Sequence, residues 1–376
     1  MRPRHLTLGA FGLAALSAAL LVTNVAAQTP AGIAKPLGAE AQAKAAWTMP
    51  RTADGHPDLQ GNWSNATVTP LERPKGQPPA LSEDAVAKIE KGVVDRIERL
   101  AAPSDPKREA PPQGGDGSTG AAGNVGGYNN FWIDSGRQVA RINGEYRTSL
   151  IVEPPDGRVP ALTPAALERQ AARVKRFQQF GEYDNPENRP LAERCIASFG
   201  SNAGPPMLPN YFYNNNYTIV QTKDHVMVLT EMVHDARIIR LGKQHQHLPT
   251  QVRPWWGDSV GWWEGDTLVI ETTNFSATQT SEHGLPIGIL RASSPDLKIT
   301  ERLTRVDADT LLYKFTVDDP ATFTRPWSGE VPFETLNEMV YEYACHEGNH
   351  ALSNVLSGER SQEKSRDAAK KSPPKQ

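Results

Sequence analysis

The chain has little cysteine, little net charge and no second long apolar run. Only two of its 376 residues are cysteine, and its formal net charge at pH 7 is −3. A charge this small excludes the bulk attraction that draws basic proteins to nucleic acid. Beyond the N-terminal region, no stretch is apolar over the roughly 20 residues that a membrane-spanning helix needs. The sequence also lacks a Gly-rich phosphate loop and a dinucleotide fingerprint. We therefore expect no cofactor, no nucleic-acid partner and no stable membrane anchor.

The first 27 residues have the pattern of a cleavable secretory signal peptide. Arg2 and Arg4 precede an uncharged apolar stretch at 6–22, and Val25-Ala26-Ala27 offers small residues before the expected cleavage site. A membrane anchor is the alternative, but an apolar run of about 17 residues is near the lower limit for crossing a bilayer. We expect a periplasmic or secreted protein whose mature chain begins with an Ala-rich tether at 28–46.

The two cysteines, Cys195 and Cys345, both lie in the exported part of the chain. In an oxidising compartment an even pair favours a disulfide bond, and two free buried thiols are the alternative. A cross-link between residues 150 apart would constrain the unfolded chain by roughly 4–5 kcal/mol in the chain-entropy model.

Two segments of biased composition divide the exported chain. Residues 103–127 are rich in Gly and Pro and have no periodicity, so we expect a mobile loop there. Residues 361–376 are charged and rich in Lys, which predicts a disordered tail. The remaining stretch, 47–360, is long enough for one large domain or two small ones.

Two amphipathic helices are predicted in the first half of the chain. Ser82 is a suitable N-cap for a helix in which apolar residues recur at three- and four-residue spacing over 86–100. A second helix is expected to begin at Thr163-Pro164, with Pro at the first helical position. Its expected apolar face consists of Leu167, Ala171, Val174 and Phe177.

Strand signals dominate from residue 217 onward. β-Branched or alternating segments separated by tight polar turns are typical of antiparallel strands. The predicted strands are 217–223, 226–233, 236–241, 267–273, 297–306, 310–317 and 339–345. We expect a mainly β fold, an antiparallel β-barrel or sandwich with two or three peripheral helices.

A Gly-x-Trp pattern at Gly61-Asn62-Trp63 favours the barrel over the sandwich. Lipocalin-type barrels have this pattern on their first strand, where the tryptophan closes one end of the barrel. The resemblance implies a lipocalin-like barrel.

Several longer motifs resemble those of a large family of secreted bacterial proteins, mostly uncharacterised. The matching segments are 51–59 (RTADGHPDL), 257–261 (GDSVG), 263–269 (WEGDTLV), 317–320 (VDDP), 324–327 (TRPW) and 341–349 (YEYACHEGN). Because they span most of the exported chain, the resemblance implies a single domain over residues 47–360. Two positions depart from the pattern: His350, where the family commonly has Tyr, and Val260, where a basic residue is common.

Residues 346–350 (HEGNH) match the H-E-x-x-H zinc signature. That site needs both histidines on one helical face. We instead expect a strand that ends at Cys345, a turn, and a helix over 351–356. A metal-dependent hydrolase that uses His346 and His350 is therefore only an alternative. His346 and Glu347 are better candidates for acid–base catalysis at a strand end held by the disulfide, unless they are an ordinary loop histidine and a solvated charge.

Residues 255–263 contain four tryptophans around Asp258. Indoles offer flat apolar faces to ring-shaped ligands, and a carboxyl group among them is expected to have a raised pKa, as a catalytic acid requires. Asp258 is therefore a catalytic candidate, with Trp256 and Trp262 as walls of a ligand pocket. The alternative is a core cluster in which Asp258 caps a turn.

Further candidates flank the predicted strands. His234 is another acid–base candidate, and Arg237 is a candidate clamp for a carboxylate or enolate, although structural ion pairs are the alternative. Tyr211, Tyr213 and Asn349 are expected at the rim of the ligand site. The His-x-His tract at 245–247 is interpreted as a surface loop rather than a metal site, so no metal is expected.

These patterns support three hypotheses. The first is an exported β-barrel that encloses a small aromatic or ring-containing molecule and acts as a cofactor-free lyase, isomerase or hydrolase. The second is a periplasmic binding protein with the same pocket and no turnover. The third is the metal-dependent hydrolase.

Overall fold

The computed structural model describes residues 47–101, 107, 133–179, 181–198, 201–242, 246–276 and 293–371. The expected signal peptide, the tether at 28–46 and almost all of the expected loop at 103–127 lie outside the described residues. Among the helices in the described ranges, none is long and apolar enough to cross a membrane.

The described chain is built around a closed β-barrel, which confirms the mainly β prediction. The strands in the described residues are β1 (Gly61–Ser64), β2 (Ala80–Leu81), β3 (Arg141–Ile142), β4 (Glu145–Arg147), β5 (Ile151–Glu153), β6 (Asn216–Gln221), β7 (His225–Thr230), β8 (Ala236–Leu241), β9 (Asp258–Glu264), β10 (Thr267–Thr273), β11 (Lys298–Arg305), β12 (Thr310–Asp318) and β13 (Trp327–Thr335). The barrel consists of β1 and β6 to β13, and it closes because β1 pairs with both β6 and β13. β5 extends the sheet beside β13, and β2, β3 and β4 form a separate small sheet.

One strand pair of the barrel is parallel. The barrel has nine strands, and an odd number of strands cannot alternate in direction around a closed ring. At least one pair of neighbours must therefore be parallel. This pair is β8 and β9, in which Arg240 lies beside Val260 and Leu241 beside Gly261. Parallel neighbours need a connection that returns along the sheet. The segment between β8 and β9 is this connection, and it brings His247 onto the outer wall.

Alternate residues of the barrel strands point inward and form the core. Leu311, Tyr313, Phe315 and Val317 of β12 are all fully buried. The aromatic rings pack against one another; the centroids of Tyr313 and Phe333, for example, are 5.3 Å apart. Burial of each such side chain stabilises the fold by roughly 1.5–3 kcal/mol. The described interior is therefore lined and packed by the protein's own rings.

The first tryptophan of the barrel is Trp63 on β1, and it is 1% exposed. Its indole N–H donates to the Leu59 carbonyl at 3.0 Å. The Arg305 guanidinium lies 5.5 Å from the centroid of the Trp63 ring, a distance suited to a cation–π contact. The tryptophan of the Gly-x-Trp pattern is thus a fixed core residue.

The two N-terminal helices have the caps that the sequence predicted. α1 (Glu83–Ala101) begins after Ser82, whose hydroxyl accepts an N–H of the first turn at 3.4 Å. α2 (Pro164–Gln179) begins after Thr163, whose hydroxyl accepts an N–H at 3.2 Å. The apolar face of α2 differs from the expectation, because Leu167 is more than half exposed.

The C-terminal helix, α3 (Ala351–Lys371), is much longer than the predicted 351–356. It begins after Asn349, whose side-chain oxygen accepts the Ala351 N–H at 3.1 Å. It continues through 361–371, where we expected disorder, and paired charges such as Arg360 and Glu363 at 2.9 Å lie along it. Residues 372–376 lie outside the described part.

The predicted disulfide is confirmed: Cys195 and Cys345 are bonded, with 5.7 Å between their Cα atoms. The predicted strand at 339–345 is wrong, because residues 336–350 contain no strand. The Tyr341 N–H instead donates to the side chain of Glu231 at 3.1 Å, so the backbone here is held by a carboxylate and the disulfide rather than by a neighbouring strand. The last barrel strand is β13, which the sequence patterns did not predict.

Candidate functional site

Strand β8 carries two arginines on opposite faces of the barrel wall. Because side chains alternate along a strand, Arg237 shares the inward face with Ile239 and Leu241, whereas Arg240 points outward. The Arg237 side chain is 9% exposed and the Arg240 side chain is 29% exposed. Each guanidinium forms two hydrogen bonds with one carboxylate, but the surroundings of the two ion pairs differ.

Inside the barrel, Arg237 pairs with Glu301 of β11. The guanidinium nitrogens lie 2.5 and 2.9 Å from the carboxylate oxygens, and Glu301 is fully buried. The Tyr313 hydroxyl donates to Glu301 at 2.9 Å and accepts the Met207 N–H at 2.9 Å. Arg237, which we expected to clamp a ligand, thus holds a carboxylate of the protein itself.

The buried segment 202–208 packs against this inner network. The Tyr217 hydroxyl donates to the Asn202 carbonyl at 2.8 Å, and the Asn65 amide donates to the Met207 carbonyl at 3.2 Å. Burial raises the pKa of both Tyr217 and Tyr313, so these hydroxyls stay protonated and keep donating. The inner polar groups therefore anchor the segment to the barrel strands.

Outside the barrel, Arg240 pairs with Asp258, the first residue of β9. The guanidinium nitrogens lie 2.8 and 3.1 Å from the Asp258 oxygens. The same carboxylate accepts the Leu248 N–H at 2.8 Å and lies 2.9 Å from Nδ1 of His247. Asp258 is only 4% exposed, so donors from three residues surround a buried carboxylate.

These donors decide the charge of Asp258. Burial alone would raise its pKa, but the hydrogen bonds from Arg240, the Leu248 N–H and His247 outweigh burial and hold the pKa below its ordinary value. We expected a raised pKa from the neighbouring indoles; the pKa is lowered because hydrogen-bond donors, not rings, surround the carboxylate. Asp258 is therefore ionised at neutral pH and acts as an acceptor.

His247 lies between two carboxylates. Its Nδ1 is 2.9 Å from Asp258, and its Nε2 is 3.2 Å from Oε1 of Glu271 on β10. The His247 side chain is 22% exposed and the Glu271 side chain 31%. Lys298 of β11 approaches the other Glu271 oxygen at 3.9 Å. The Nδ1 side of the ring is thus fixed by a buried group, whereas the Nε2 side faces a partly exposed one.

This geometry is suited to proton transfer. An ionised carboxylate at Nδ1 fixes the orientation of the imidazole ring, and Nε2 is then the ring atom that can exchange a proton with a bound molecule. Asp258 and Glu271 approach opposite sides of the ring, so they do not converge on a common metal position. In the described ranges, no three His, Cys, Asp or Glu side chains form a metal-binding group.

The turn between β7 and β8 is strained. Val233 has φ 64° and ψ 20°, a left-handed conformation that β-branched residues avoid. Asp235, after Val233, accepts the Trp256 indole N–H at 3.0 Å. His234, a predicted catalytic residue, lies in this turn, and its side chain is outside the described part. Backbone strain of this kind is frequent at functional sites.

The other predicted catalytic residues lie apart from these contacts. His346 and Glu347 are exposed, in the turn that joins the disulfide to α3. His350 directly precedes α3, so the two histidines of the zinc signature do not share a helical face, and the helix that this signature needs begins only at Ala351. The partners of Asp258 come from β8 and the 246–248 segment rather than from this turn.

The predicted ligand-binding tyrosines have structural partners. The Tyr211 hydroxyl donates to the Thr69 carbonyl at 3.0 Å, and burial raises the Tyr211 pKa. Tyr213 forms a hydrogen bond with Tyr343, whose pKa is raised by burial and by this contact.

The remaining ligand-binding candidates are dispersed. Asn349 caps α3 and also donates to Sγ of Cys195 at 3.2 Å. Trp262 lies on the outer face of β9, where its indole N–H donates to Glu264 at 2.9 Å. Trp256 is two residues before Asp258 and is half-buried. Trp256 and Trp262 thus have different polar partners, Asp235 and Glu264, and their role as pocket walls stays a prediction.

Several residues of these clusters, among them Glu301, His247 and Glu271, were not among the predicted site residues. The burial of Glu301 could have been predicted from the sequence. Glu301 alternates with the apolar residues Ile299 and Leu303 of β11, so it lies on the inward face of that strand. The contacts of His247 and Glu271 could not have been predicted from a local pattern, because their partners come from different strands and from the β8–β9 connection. The sequence pattern predicts a surface loop for His247, whereas in the structure His247 lies on the outer wall of the barrel.

Two comparisons with known proteins found no match. No protein-family model matches the sequence, and no curated protein matches it. A functional assignment must therefore come from the geometry of the site.

Proposed function

We propose that the protein is an exported, cofactor-independent enzyme that transfers protons on a small molecule, with His247 as its acid–base residue. The observation that carries the proposal is the 2.9 Å contact between Nδ1 of His247 and the buried, ionised Asp258. A carboxylate held this firmly orients the ring, and the substrate then takes the place of Glu271 at Nε2.

The catalytic cycle follows from this geometry. A substrate oxygen, nitrogen or activated carbon approaches Nε2, which Glu271 faces in the absence of substrate. Nε2 removes a proton, and Asp258 stabilises the imidazolium that forms. Nε2 then gives this proton to the product or to water, which restores the neutral ring, and Glu271 returns to its position 3.2 Å from Nε2. Lyase, isomerase and hydrolase reactions all fit this sequence of steps.

The substrate site lies on the outer wall in this proposal, not inside the barrel. The inward-facing residues include fully buried rings, among them Tyr217, Tyr313, Phe315 and Phe333. The buried ion pair that Arg237 forms with Glu301 inside the barrel is satisfied by the protein. His247 and Glu271, by contrast, are partly exposed and accessible to a small molecule.

Export is part of the proposal. The N-terminal signal pattern predicts it, and the Cys195–Cys345 disulfide is a bond that persists in oxidising compartments. Membership of the secreted bacterial family suggested by the sequence motifs stays a prediction.

The test is turnover of a metabolite library by purified wild-type and variant proteins. We expect product formation that falls about 10²- to 10⁴-fold in His247→Gln, the range for loss of a general acid–base residue. His350→Gln is the matched control, because His350 is an exposed histidine directly before α3 and is not one of the partners of Asp258 or Glu271, and it should keep full activity. Loss of activity in His346→Ala with normal activity in His247→Gln would contradict the proposal.

A binding protein without turnover is the second candidate. It is favoured by the engagement of both His247 nitrogens, because a ring held by carboxylates on both sides can serve as a fixed contact for a ligand. In that case, library compounds would raise the melting temperature of the wild type, and no compound would be converted.

A further inference from the structure

The outer wall beside His247 carries exposed apolar side chains, and they point to the substrate class. We infer that the substrate presents a ring or chain of hydrocarbon to an apolar rim formed by Ile238, Leu248 and Trp256, while its polar group meets Nε2. The inference rests on the proposed function of the His247 site.

Ile238 belongs to the same outer face as Asp258. Arg240 and Val260 are paired neighbours on β8 and β9, and Ile238 and Asp258 each lie two residues earlier on these parallel strands. The Ile238 and Asp258 side chains are therefore neighbours on the outer face of the sheet, like those of Arg240 and Val260. Ile238 is 52% exposed, so its side chain presents an apolar surface to solvent.

Leu248 borders the site from the other side. Its N–H donates to Asp258 at 2.8 Å, and its carbonyl accepts the Asn274 amide at 2.7 Å. The backbone is therefore fixed on both sides, directly after His247, yet the Leu248 side chain is 37% exposed. A rigid backbone that holds a leucine at the surface is what a preformed apolar contact requires.

Trp256 completes the rim. Its indole N–H is held by Asp235 at 3.0 Å, so the ring has one fixed position. The following residue, Gly257, has φ +74°, and a Cβ there would lie 2.7 Å from the Thr273 carbonyl oxygen. Only glycine fits this turn, which sets the spacing between the indole and Asp258.

The apolar rim and the polar His247 site together favour an amphiphilic ligand. Three apolar side chains belong to residues that lie beside Asp258 in the sheet, near it along the chain or hydrogen-bonded to it, Asp258 holds His247, and an apolar group placed on them leaves water. A fully polar molecule such as a sugar would gain little from Ile238 and Leu248. A molecule with a ring or short acyl chain next to a carbonyl or hydroxyl would use both parts of the site.

The test uses the neutral fluorescent probe N-phenyl-1-naphthylamine with the full-length protein. We expect its dissociation constant to rise at least fivefold in Ile238→Ser and in Leu248→Ser. Leu167→Ser is the matched control, because Leu167 on α2 is equally exposed at 53% and lies on a different element; its dissociation constant should not change. Unchanged binding in both rim variants, equal loss in the control, or no binding by the wild type would overturn the inference.

A second measurement places the probe beside His247. Saturating N-phenyl-1-naphthylamine should slow modification of His247 by diethylpyrocarbonate at least threefold, as read by mass spectrometry, and leave the exposed His350 unaffected. Equal rates at His247 with and without the probe would overturn the inference. Probe binding should persist in His247→Gln. Failure of the rim inference would appear in the binding of the probe, whereas failure of the catalytic proposal would appear only in turnover.

Discussion

The two arginine–carboxylate pairs of β8 are chemically alike and differ in what surrounds them. Arg237 and Glu301 lie inside the barrel, where the carboxylate is fully buried and shares its remaining hydrogen bond with Tyr313. Arg240 and Asp258 lie on the outer wall, where the carboxylate also holds His247. The inner pair is closed to solvent and anchors the core. The outer pair positions a titratable, partly exposed ring, so chemistry is expected there.

The largest effect is expected from Glu301→Leu. The substitution leaves the Arg237 cation buried without a counter-ion, which should lower the free energy of unfolding by about 3–5 kcal/mol. Urea unfolding followed by circular dichroism measures the change. The double variant Arg237→Met with Glu301→Leu should recover most of the loss, because it removes both charges. A loss below about 1 kcal/mol in the single variant would show that the inner pair is not a buried, paired charge.

Removal of one hydroxyl from the inner network should have a smaller effect. Tyr313→Phe takes a donor from Glu301 and an acceptor from the Met207 N–H, and we expect a loss of roughly 1–3 kcal/mol for these unsatisfied buried groups. The Met207 amide should also exchange its hydrogen faster, which mass spectrometry detects. Tyr183→Phe is a control, since Tyr183 is 36% exposed; an equal loss in that variant would contradict the role of Tyr313.

Much of this architecture could be predicted from local patterns. The limits of β8 and β10 and the caps of α1 and α2 agree with the sequence signals, because alternation and capping are local properties. β13 was missed because Gly329 and Pro332 interrupt its β pattern, although both lie in a regular antiparallel ladder.

The clusters could not be predicted in the same way. Glu301 meets Arg237 only when the sheet closes and β8 comes to face β11, and no local pattern encodes that closure. Asp258 was singled out, but its surroundings were misjudged, because the donors from Arg240 and Leu248 depend on the path of the β8–β9 connection. The direction of its pKa shift followed from those contacts and not from the nearby tryptophans.

The smallest stability effect is expected on the outer wall, and it depends on pH. The folded-state pKa of Asp258 is lowered, so its ionised form stabilises the fold above the unfolded-state pKa of about 4, and this contribution is lost as the pH falls through the folded-state pKa. The difference in unfolding free energy between wild type and Asp258→Asn should be largest near neutral pH and shrink below about pH 4.

The control for this pH dependence is Asp266→Asn, because Asp266 is 48% exposed in a surface ion pair with Arg51. Surface pairs of this kind contribute about 0–1 kcal/mol, so the control should show little dependence. A difference between wild type and Asp258→Asn that grows on acidification would contradict the assignment of an ionised Asp258.

The central claim is that His247 and Asp258 act as one catalytic unit, and a double-mutant cycle on turnover tests it most directly. For a substrate found in the library, kcat/KM is measured for wild type, His247→Gln, Asp258→Asn and the double variant. We expect the double variant to be no slower than His247→Gln alone, because Asp258 acts only through the ring. Losses that multiply in the double variant, or an active His247→Gln enzyme, would contradict the claim.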